Sequence, residues 1–283
     1  MTVTIGLLHS TIRADEKLIV QAAKKRNVNI KLIDIRALAL HKNLYQNTID
    51  IALERSVSTV KGTYAASFYH EMGVPVVNTP HVAHICEDKF LTSLVLKEHG
   101  VATLDFGMVF SLEQAEELIT QLGGYPVVLK PPSGSWGRLL AKINDRDALE
   151  ALIDHKQILG SPDHKALYLQ EYIAKKGRDI RAFVINGETI AAIYRDSAHW
   201  ITNTARGGKS SNCPVTPELS KLCKKASEAI GGGILALDVV ETDDGLKIIE
   251  VNHTMEFKNS ETPTGVSISG AIVDYCIQYI KKS

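Results

Sequence analysis

The sequence predicts an α/β protein built from an open parallel α/β domain followed by two α+β domains. Strand and helix patterns alternate over residues 1–84, which is typical of a parallel sheet covered by helices. Residues 85–168 and 169–283 combine helices with strands joined by short polar turns, which favours antiparallel pairing. A chain of 283 residues with 45% hydrophobic residues can bury the cores of two or three domains.

Composition narrows the class of partner. Lys plus Arg equals Asp plus Glu, at 32 each, so no overall charge favours nucleic acid or a membrane surface. No apolar run reaches the roughly 18 residues of a spanning helix, and the apolar N-terminal run is short. The cysteines lack a CxxC pair, which argues against a zinc site or a disulfide framework. We expect a soluble cytoplasmic protein; the cysteines are Cys86, Cys213, Cys223 and Cys276.

The first block carries four strand patterns and two helix patterns. Helix patterns occur at DEKLIVQAAKKR and TYAASFYHEMG, and the strands are VTIGLLHS, NIKLIDI, TIDIALERS and VPVVNTP. No GxGxxG follows the first strand, so a Rossmann dinucleotide site is not supported. His9, Arg13, Arg55 and Ser58 lie near strand ends, where such sheets bind ligands. A purely supporting domain is the alternative.

The second block contains a strand, a Gly- and Ser-rich turn and a nearby lysine. CEDKFLTSLVLKEHG predicts one helix ended by Gly100, and SLEQAEELITQLG predicts a helix capped by Ser111. VVLKPP then places Lys130 near the end of a strand, before SGSWGRLLAKI. Backbone N–H groups of such a turn can hold phosphate oxygens, and a lysine adds a point charge. The alternative is an ordinary hairpin turn.

The third block reads as an antiparallel sheet with helices packed on it. LYLQEYI predicts a strand, and DIRAFVI and TIAAIYR predict a hairpin around Asn-Gly. Helices are predicted at ELSKLCKKASEAI and SGAIVDYCIQYIKK. Between these helices lie two apolar strands that each contain an acidic residue.

Those two strands present three oxygen donors. Asp238 interrupts ILALDVV, and Glu250 and Asn252 end KIIEVN beyond the turn TDDG. Burying an unpaired carboxylate is costly, so the charges need a partner. Residues 250 and 252 share a strand face, and a hairpin can bring Asp238 onto it. Such oxygen donors suit Mg²⁺ beside a nucleotide. The alternative is a pair of strand-end carboxylates on a solvated face.

Seven ordered motifs give the chain a family resemblance. The motifs are DKF around Lys89, VLKPPSGSWGRLL, LQEYI, GRDIR, NTARGG, ALDVVE and IIEVNHTMEF. In this order they resemble the RimK-type branch of the ATP-grasp ligases, over essentially the whole chain. The resemblance implies an ATP-grasp fold that encloses the nucleotide between the two α+β domains. It also implies an ATP-dependent carboxylate–amine ligase that uses ATP and Mg²⁺, with two ions, and forms a homo-oligomer.

The resemblance further implies which residues bind the nucleotide. A hinge strand contacts the adenine edge, an aspartate binds the ribose, and two lysines contact phosphates beneath a mobile loop. In this sequence the hinge residues are Gln170, Glu171, Tyr172 and Ile173, the aspartate is Asp179, the lysines are Lys89 and Lys130, and the loop residues are Ser135, Trp136 and Gly137.

The remaining implied residues serve the metal and the substrates. Asp238, Glu250 and Asn252 match the magnesium ligands. Arg195 and Arg206 resemble arginines near the reacting acyl phosphate, where a guanidinium fork suits a carboxylate or a phosphate. Together with Asn203 and Thr204, these arginines would form the amino-acid pocket.

A finer resemblance concerns the substrates. GSWGRLLAKI, HKQILG, SAHWITNTARGG and EVNHTMEFKNS resemble branch members that attach 2-aminoadipate to the small carrier protein LysW in lysine biosynthesis. The carrier carboxylate would be converted to an acyl phosphate, which the amino group of 2-aminoadipate then attacks. Glutamate is a close alternative because the two amino acids differ by one methylene, worth only about 1–3 kcal/mol in a pocket. Glutamylation of another protein tail, such as that of a ribosomal protein, is a third possibility.

Two further expectations concern turnover and docking. A protein that binds ATP without turnover is disfavoured, because the candidate metal ligands and both phosphate lysines are present. An acidic carrier would be steered by a local basic patch. We expect that patch to be formed by Arg178, Arg181, Arg195 and Arg206.

Overall fold

The computed structural model describes residues 2–134, 139–161, 165–202 and 209–281. The first block forms a four-stranded parallel sheet in the order β2-β1-β3-β4, which confirms the predicted open parallel sheet. Its elements are β1 Thr4–His9, α1 Ala14–Lys25, β2 Asn29–Asp34, β3 Ile51–Glu54, α2 Thr59–Glu71 and β4 Val76–Val77, with 3-10 turns at Ile35–Ala37 and Lys42–Leu44.

Two helices, α3 Pro80–Glu87 and α4 Lys89–Glu98, connect the first sheet to the second. The prediction of one continuous helix here is wrong, because Asp88 adopts an extended backbone between them. The Asp88 carboxylate accepts hydrogen bonds from the backbone N–H groups of Phe90 and Leu91, at 2.8 and 2.9 Å. This cap begins α4 at Lys89, one of the predicted phosphate contacts.

The second sheet is antiparallel and has the strand order β5-β8-β6-β7. Two helices pack against it, and Ser111 caps the first of them as predicted. β8 crosses the predicted domain boundary between residues 168 and 169, and the whole strand belongs to this sheet. The elements are β5 Phe106–Val109, α5 Leu112–Gln121, β6 Val127–Lys130, β7 Ala141–Ile143, α6 Arg146–Leu159 and β8 Leu167–Glu171.

The third sheet is antiparallel and has the strand order β11-β10-β9-β12-β13. The predicted Asn-Gly hairpin is present, with Asn186 and Gly187 both at positive φ. The hairpin of the two acidic strands is also present. The elements are β9 Arg178–Ile185, β10 Glu188–Asp196, β11 Lys209–Asn212, α7 Pro217–Ile230, β12 Ile234–Thr242, β13 Gly245–Asn252, α8 Glu261–Thr264 and α9 Ile268–Ile280.

The third sheet is buried on both faces. One face packs on α7 and on α3 and α4. Its other face shares a hydrophobic core with α9, α1 and the first sheet, in which Ile5, Phe183 and Ile272 are buried. The first block is therefore fixed to the third block by a common core. Within the described part of the chain, no helix has both the length and the apolarity that a membrane crossing requires.

This shared core makes a testable prediction about stability. Ile272→Ala removes a side chain that is 0% exposed, so it should lower the free energy of unfolding by about 2–5 kcal/mol. Ile158→Ala on α6 is the matched control, because Ile158 is 79% exposed and its loss should change stability by at most about 0.5 kcal/mol. Urea unfolding of both variants checks this. Equal losses would contradict a core that joins the two blocks.

Candidate active site

A cleft of about 720 Å³ lies between the second and third sheets. Its apolar walls include Leu104, Val128, Val240 and Ile249, beside the chain that leaves β8. An apolar slot along a backbone edge suits a flat heterocycle. The cleft also contains the predicted residues Lys130, Gln170, Glu171, Tyr172, Ile173, Asp179, Arg195, Asp238 and Glu250.

Lys130 ends β6 as a buried cation inside this cleft. Its Nζ donates to Gln170 Oε1 at 2.6 Å, and Gln170 Nε2 donates to the Tyr168 hydroxyl at 3.1 Å. Burial lowers the pKa of Lys130 to about 8; the nearby Glu250 carboxylate opposes this shift, whereas the charges of Lys89 and Lys175 add to it. Among the described residues, its hydrogen-bond acceptor is a neutral amide. The carboxylates of Glu250 and Asp238 act on this ammonium without a direct ion pair among the described residues, so an anion placed beside Lys130 would gain a direct charge-assisted contact.

Lys89 connects α4 to the Gly-rich turn. Its backbone N–H donates to Pro132 O at 2.9 Å, and its Nζ donates to Gly134 O at 2.6 Å. The same ammonium lies 3.5 Å from Glu250 Oε1. Lys89 thus stands between the turn and β13, where a phosphate chain could reach both.

Arg195 bridges two carboxylates at the base of the cleft. Its Nε and Nη2 donate to Asp179 Oδ1 and Oδ2 at 2.7 and 2.8 Å. Its Nη2 also lies 3.1 Å from Asp238 Oδ2. The pairing follows from strand register, since Arg195 on β10 stands opposite Asp179 on β9.

The carboxylates of Asp179 and Asp238 accept further hydrogen bonds. Arg181 stands opposite Asp238 and binds it through two hydrogen bonds of 2.8 and 2.9 Å. Asp179 also accepts from Lys175 Nζ at 3.1 Å and from the Thr202 hydroxyl. Burial alone would raise the pKa of each carboxyl. The surrounding guanidinium and ammonium groups outweigh burial and hold the pKa of Asp179 and of Asp238 below the usual range.

The three predicted metal ligands share one face of β12 and β13. Asp238 stands opposite Glu250, and Asn252 lies two residues further along β13. Asn252 Nδ2 is buried without a hydrogen-bond partner in the part of the chain that the structure describes, so these residues do not fully engage its amide. The structure finds no group of three or more His, Cys, Asp or Glu side chains suited to a metal within its described ranges. The predicted set does not count as such a group, because it contains only two carboxylates and its third member is an amide.

Asp238 is the most constrained of the three ligands. Arg181 and Arg195 occupy three of the roughly four acceptor positions of its carboxylate, which leaves one for a cation. Glu250 and Asn252 are freer oxygen donors on the same face. The donor set therefore fits a hard cation, which Glu250 and Asn252 would mainly hold, with a single contact from Asp238.

Several predicted residues lie outside the described ranges. They are the loop residues Ser135, Trp136 and Gly137 and the pocket residues Asn203, Thr204 and Arg206.

Two site residues escaped the sequence prediction. Lys175 was not predicted as a site residue, but it binds Asp179 and the Thr202 hydroxyl inside the cleft. Arg181 was expected on a docking patch, but it holds Asp238. The position of Arg181 in the sequence could have indicated its role. Arg181 lies two residues after Asp179 on one strand, so both side chains point the same way. Trp200, Ile201 and Thr202, from the motif SAHWITNTARGG, also line the cleft.

The prediction of a basic docking patch is wrong for the three arginines that the structure describes. Arg178 is paired with Glu241 at 2.9 Å, Arg181 with Asp238, and Arg195 with Asp179 and Asp238. These charges are compensated within the third sheet, so they are poorly suited to steering an acidic partner.

Comparisons with known proteins agree with this geometry. Residues 86–276 match the RimK-like ATP-grasp domain, and residues 5–85 match the LysX preATP-grasp domain. The chain is 32% identical over 274 residues to the alpha-aminoadipate–LysW ligase LysX of Saccharolobus solfataricus, which covers 95% of this chain and 99% of the relative. It is also 32% identical over 274 residues to the glutamate–LysW ligase ArgX of Sulfurisphaera tokodaii, covering 96% and 97%.

A solved structure supports the same assignment. The RimK domain protein ATP-grasp from Sphaerobacter thermophilus matches with a TM-score of 0.81 and 26% identity, over 97% of this chain and 100% of that one. The chain belongs to the RimK-like ATP-grasp family. It has the ATP-grasp fold and is an ATP-dependent carboxylate–amine ligase.

The buried ion pairs make a prediction about stability and pH. Asp238→Asn leaves two guanidinium groups without their shared anion, so it should lower the free energy of unfolding by about 3 kcal/mol at pH 7. Because the folded pKa of Asp238 is depressed, its contribution is present above the ordinary value of 3.8 and is lost as the pH falls below it. The difference between wild type and variant should therefore narrow below about pH 4.

Denaturant unfolding at several pH values measures this difference. Glu228→Gln is the control, because Glu228 forms an exposed 3.9 Å pair with Lys224 and should contribute at most about 1 kcal/mol. A loss in Asp238→Asn no larger than in the control would refute a stabilising role for the buried network.

Proposed function

We propose that the protein joins the amino group of 2-aminoadipate to the C-terminal glutamate side-chain carboxylate of a small acidic LysW-type carrier. The proposal is carried by nearly full-length similarity to a LysX ligase, together with a cleft that gathers nine predicted site residues. Glutamate as the amino acid is the second candidate, because an ArgX ligase is equally similar at 32% identity. The cytoplasmic location and the homo-oligomeric state stay predictions.

The proposal assigns the nucleotide to the cleft. Gln170, Glu171, Tyr172 and Ile173 would border the adenine, within reach of the apolar walls. Lys130 would place its charge on the phosphates, since its described acceptor is the neutral Gln170 amide. Lys89 would contact the phosphates from the Gly-rich turn.

Asp179 would bind the ribose through its less occupied oxygen. Arg195, Lys175 and Thr202 all donate to Oδ2, whereas the hydrogen bond to Oδ1 comes from Arg195 Nε. A carboxylate oxygen accepts about two hydrogen bonds, so Oδ1 keeps room for a hydroxyl donor. The neighbouring cations keep the group ionised and therefore able to accept.

The proposal assigns two magnesium ions to Glu250, Asn252 and Asp238. When bound, Mg²⁺ would neutralise phosphate charge during transfer. The protein's contribution is to hold oxygen donors in place: β13 fixes Glu250 and Asn252 on one face, while two arginines fix the rotamer of Asp238. Such preorganised groups stabilise developing charge without rearranging during the reaction.

Arg195 is the proposed catalytic arginine among the described residues. It lines the cleft while its Nε and Nη2 remain bound to carboxylates, so its orientation is fixed. A fixed guanidinium can stabilise the charge of an acyl phosphate formed on the carrier carboxylate. The second arginine, Arg206, and the pocket residues Asn203 and Thr204 keep their proposed roles from the family resemblance.

Intact mass spectrometry of the carrier tests the function. The purified protein, ATP, Mg²⁺ and a LysW-type carrier are incubated with 2-aminoadipate or with glutamate. We expect the carrier to gain the mass of 2-aminoadipate minus water, and Glu250→Gln to reduce the rate by at least about 100-fold. Glu117→Gln, an exposed residue on α5, should behave as wild type. No mass gain with either amino acid would refute the proposed function.

The lysine in the cleft predicts a pH dependence of nucleotide binding. Lys130 must be protonated to attract phosphate, and burial lowers its pKa to about 8. ADP affinity should therefore be full below pH 8 and should fall as the pH rises from 8 to 9.5, by up to about tenfold per pH unit. Lys130→Arg keeps its charge and should give a flatter profile.

Calorimetric titration of ADP in the presence of EDTA measures this profile without metal. A wild-type profile as flat as that of the arginine variant would exclude Lys130 as a phosphate contact.

A further inference from the structure

One side chain of the first block reaches the strand end that carries a proposed metal ligand. Asn78 directly follows β4 and is 5% exposed. Its Nδ2 donates to His253 O at 2.7 Å and to Ile234 O at 2.8 Å, and its Oδ1 accepts from the Ile234 N–H at 2.6 Å. His253 is the residue after Asn252. A single buried amide therefore ties the first residue of β12 to the end of β13.

The Asn78 amide takes the place of a strand partner at this point. The pairing of β12 with β13 ends with Ala236 opposite Asn252. Two residues before Ala236, the N–H and C=O groups of Ile234 both bond to the Asn78 side chain, as they would to a neighbouring strand. Buried backbone groups need hydrogen-bond partners, so Asn78 satisfies β12 where β13 leaves the sheet.

The orientation of the Asn252 side chain depends on its backbone. Its Nδ2 is buried and has no hydrogen-bond partner within the described ranges, so this nitrogen does not hold the amide in place there. The backbone before Asn252 is held by the pairing of β13 with β12. The backbone after it is held by the hydrogen bond from Asn78 to His253 O. Asn78 therefore fixes the side of Asn252 that the sheet no longer holds.

A glycine leaves the space that the Asn78 amide occupies. A Cβ at Gly233 would collide with Asn78 Oδ1, whereas a Cβ at the neighbouring Gly232 would meet no atom of the described chain within 4 Å. Both glycines have positive φ, +94° for Gly233 and +80° for Gly232. A side chain at either position would strain the backbone, and at Gly233 it would also displace Asn78.

We propose that Asn78 is a positioning residue for the metal site, because it fixes the end of β13 from which Asn252 would bind Mg²⁺. Residues that hold a metal ligand in place typically contribute about 10–100-fold to metal affinity. The inference rests on the metal site of the proposed function and not on the identity of the amino acid. It gives the first block a part in metal binding through a residue outside the nucleotide cleft.

Calorimetric titration of ADP, once with Mg²⁺ and once with EDTA, tests the inference. Asn78→Ala should raise the ADP dissociation constant at least about tenfold in Mg²⁺, because a misplaced Asn252 binds the metal poorly. In EDTA the constant should match that of wild type, because Asn78 is not among the residues that line the cleft. A general loss of structure would instead weaken ADP binding in both conditions.

A pair of glycine variants tests the same contact while residue 78 stays unchanged. Gly233→Ala should displace the Asn78 amide and show the same loss of ADP affinity, confined to Mg²⁺. Gly232→Ala is the matched control, because it strains the backbone in the same way but does not collide with Asn78. Its ADP dissociation constants should match those of wild type in both conditions.

Glu250→Gln separates the inference from the metal site on which it rests. This variant removes a proposed metal ligand, so its ADP affinity should fall in Mg²⁺ and not in EDTA. Such a loss in Glu250→Gln without a loss in Asn78→Ala or Gly233→Ala would overturn the inference and retain the metal site. A wild-type ADP dissociation constant that is the same in Mg²⁺ and in EDTA would overturn the metal site, and the inference with it.

Discussion

The buried guanidinium of Arg195 is the constraint on which the site depends. It joins Asp179 on β9 to Asp238 on β12, and Arg181 returns from β9 to the same Asp238. Three strands are therefore linked by charge as well as by backbone hydrogen bonds. A slip of one residue would turn these side chains to the opposite face and leave the charges buried without partners. The network thus fixes the register that also sets Glu250 opposite Asp238.

The same network separates two kinds of positive charge. The guanidinium groups of Arg178, Arg181 and Arg195 are compensated inside the third sheet. Lys130 is buried next to a neutral amide, and its lowered pKa records the cost of that position. The three arginines are therefore structural cations, whereas Lys130 is a cation that favours an incoming anion. This distinction explains why a chain with no net charge can still bind a polyphosphate.

Much of this fold follows from local sequence patterns. The Asn-Gly hairpin, the Ser111 cap and the pairing of the two acidic strands depend on residues close in sequence, so pattern predicts them. The break at Asp88 was missed because the apolar period continues across it. The roles of Lys175 and Arg181 depend on partners that the fold supplies, and Arg178 shows the same effect through Glu241. The sequence shows the arginines but not their acidic partners. It therefore predicted a basic patch at a place where the third sheet contains ion pairs.

The position of the first block depends on apolar packing and on one buried carboxylate. Its sheet and helices share a core with the third sheet, and Asp15 carries that rigidity to the turn after Asn252. Arg195 lines the nucleotide cleft and also a smaller cavity beside it, which Arg181 and Ser260 border as well. The two cavities thus share the Arg195 side chain, while the turn that borders the smaller one is held by Asp15 of the first block.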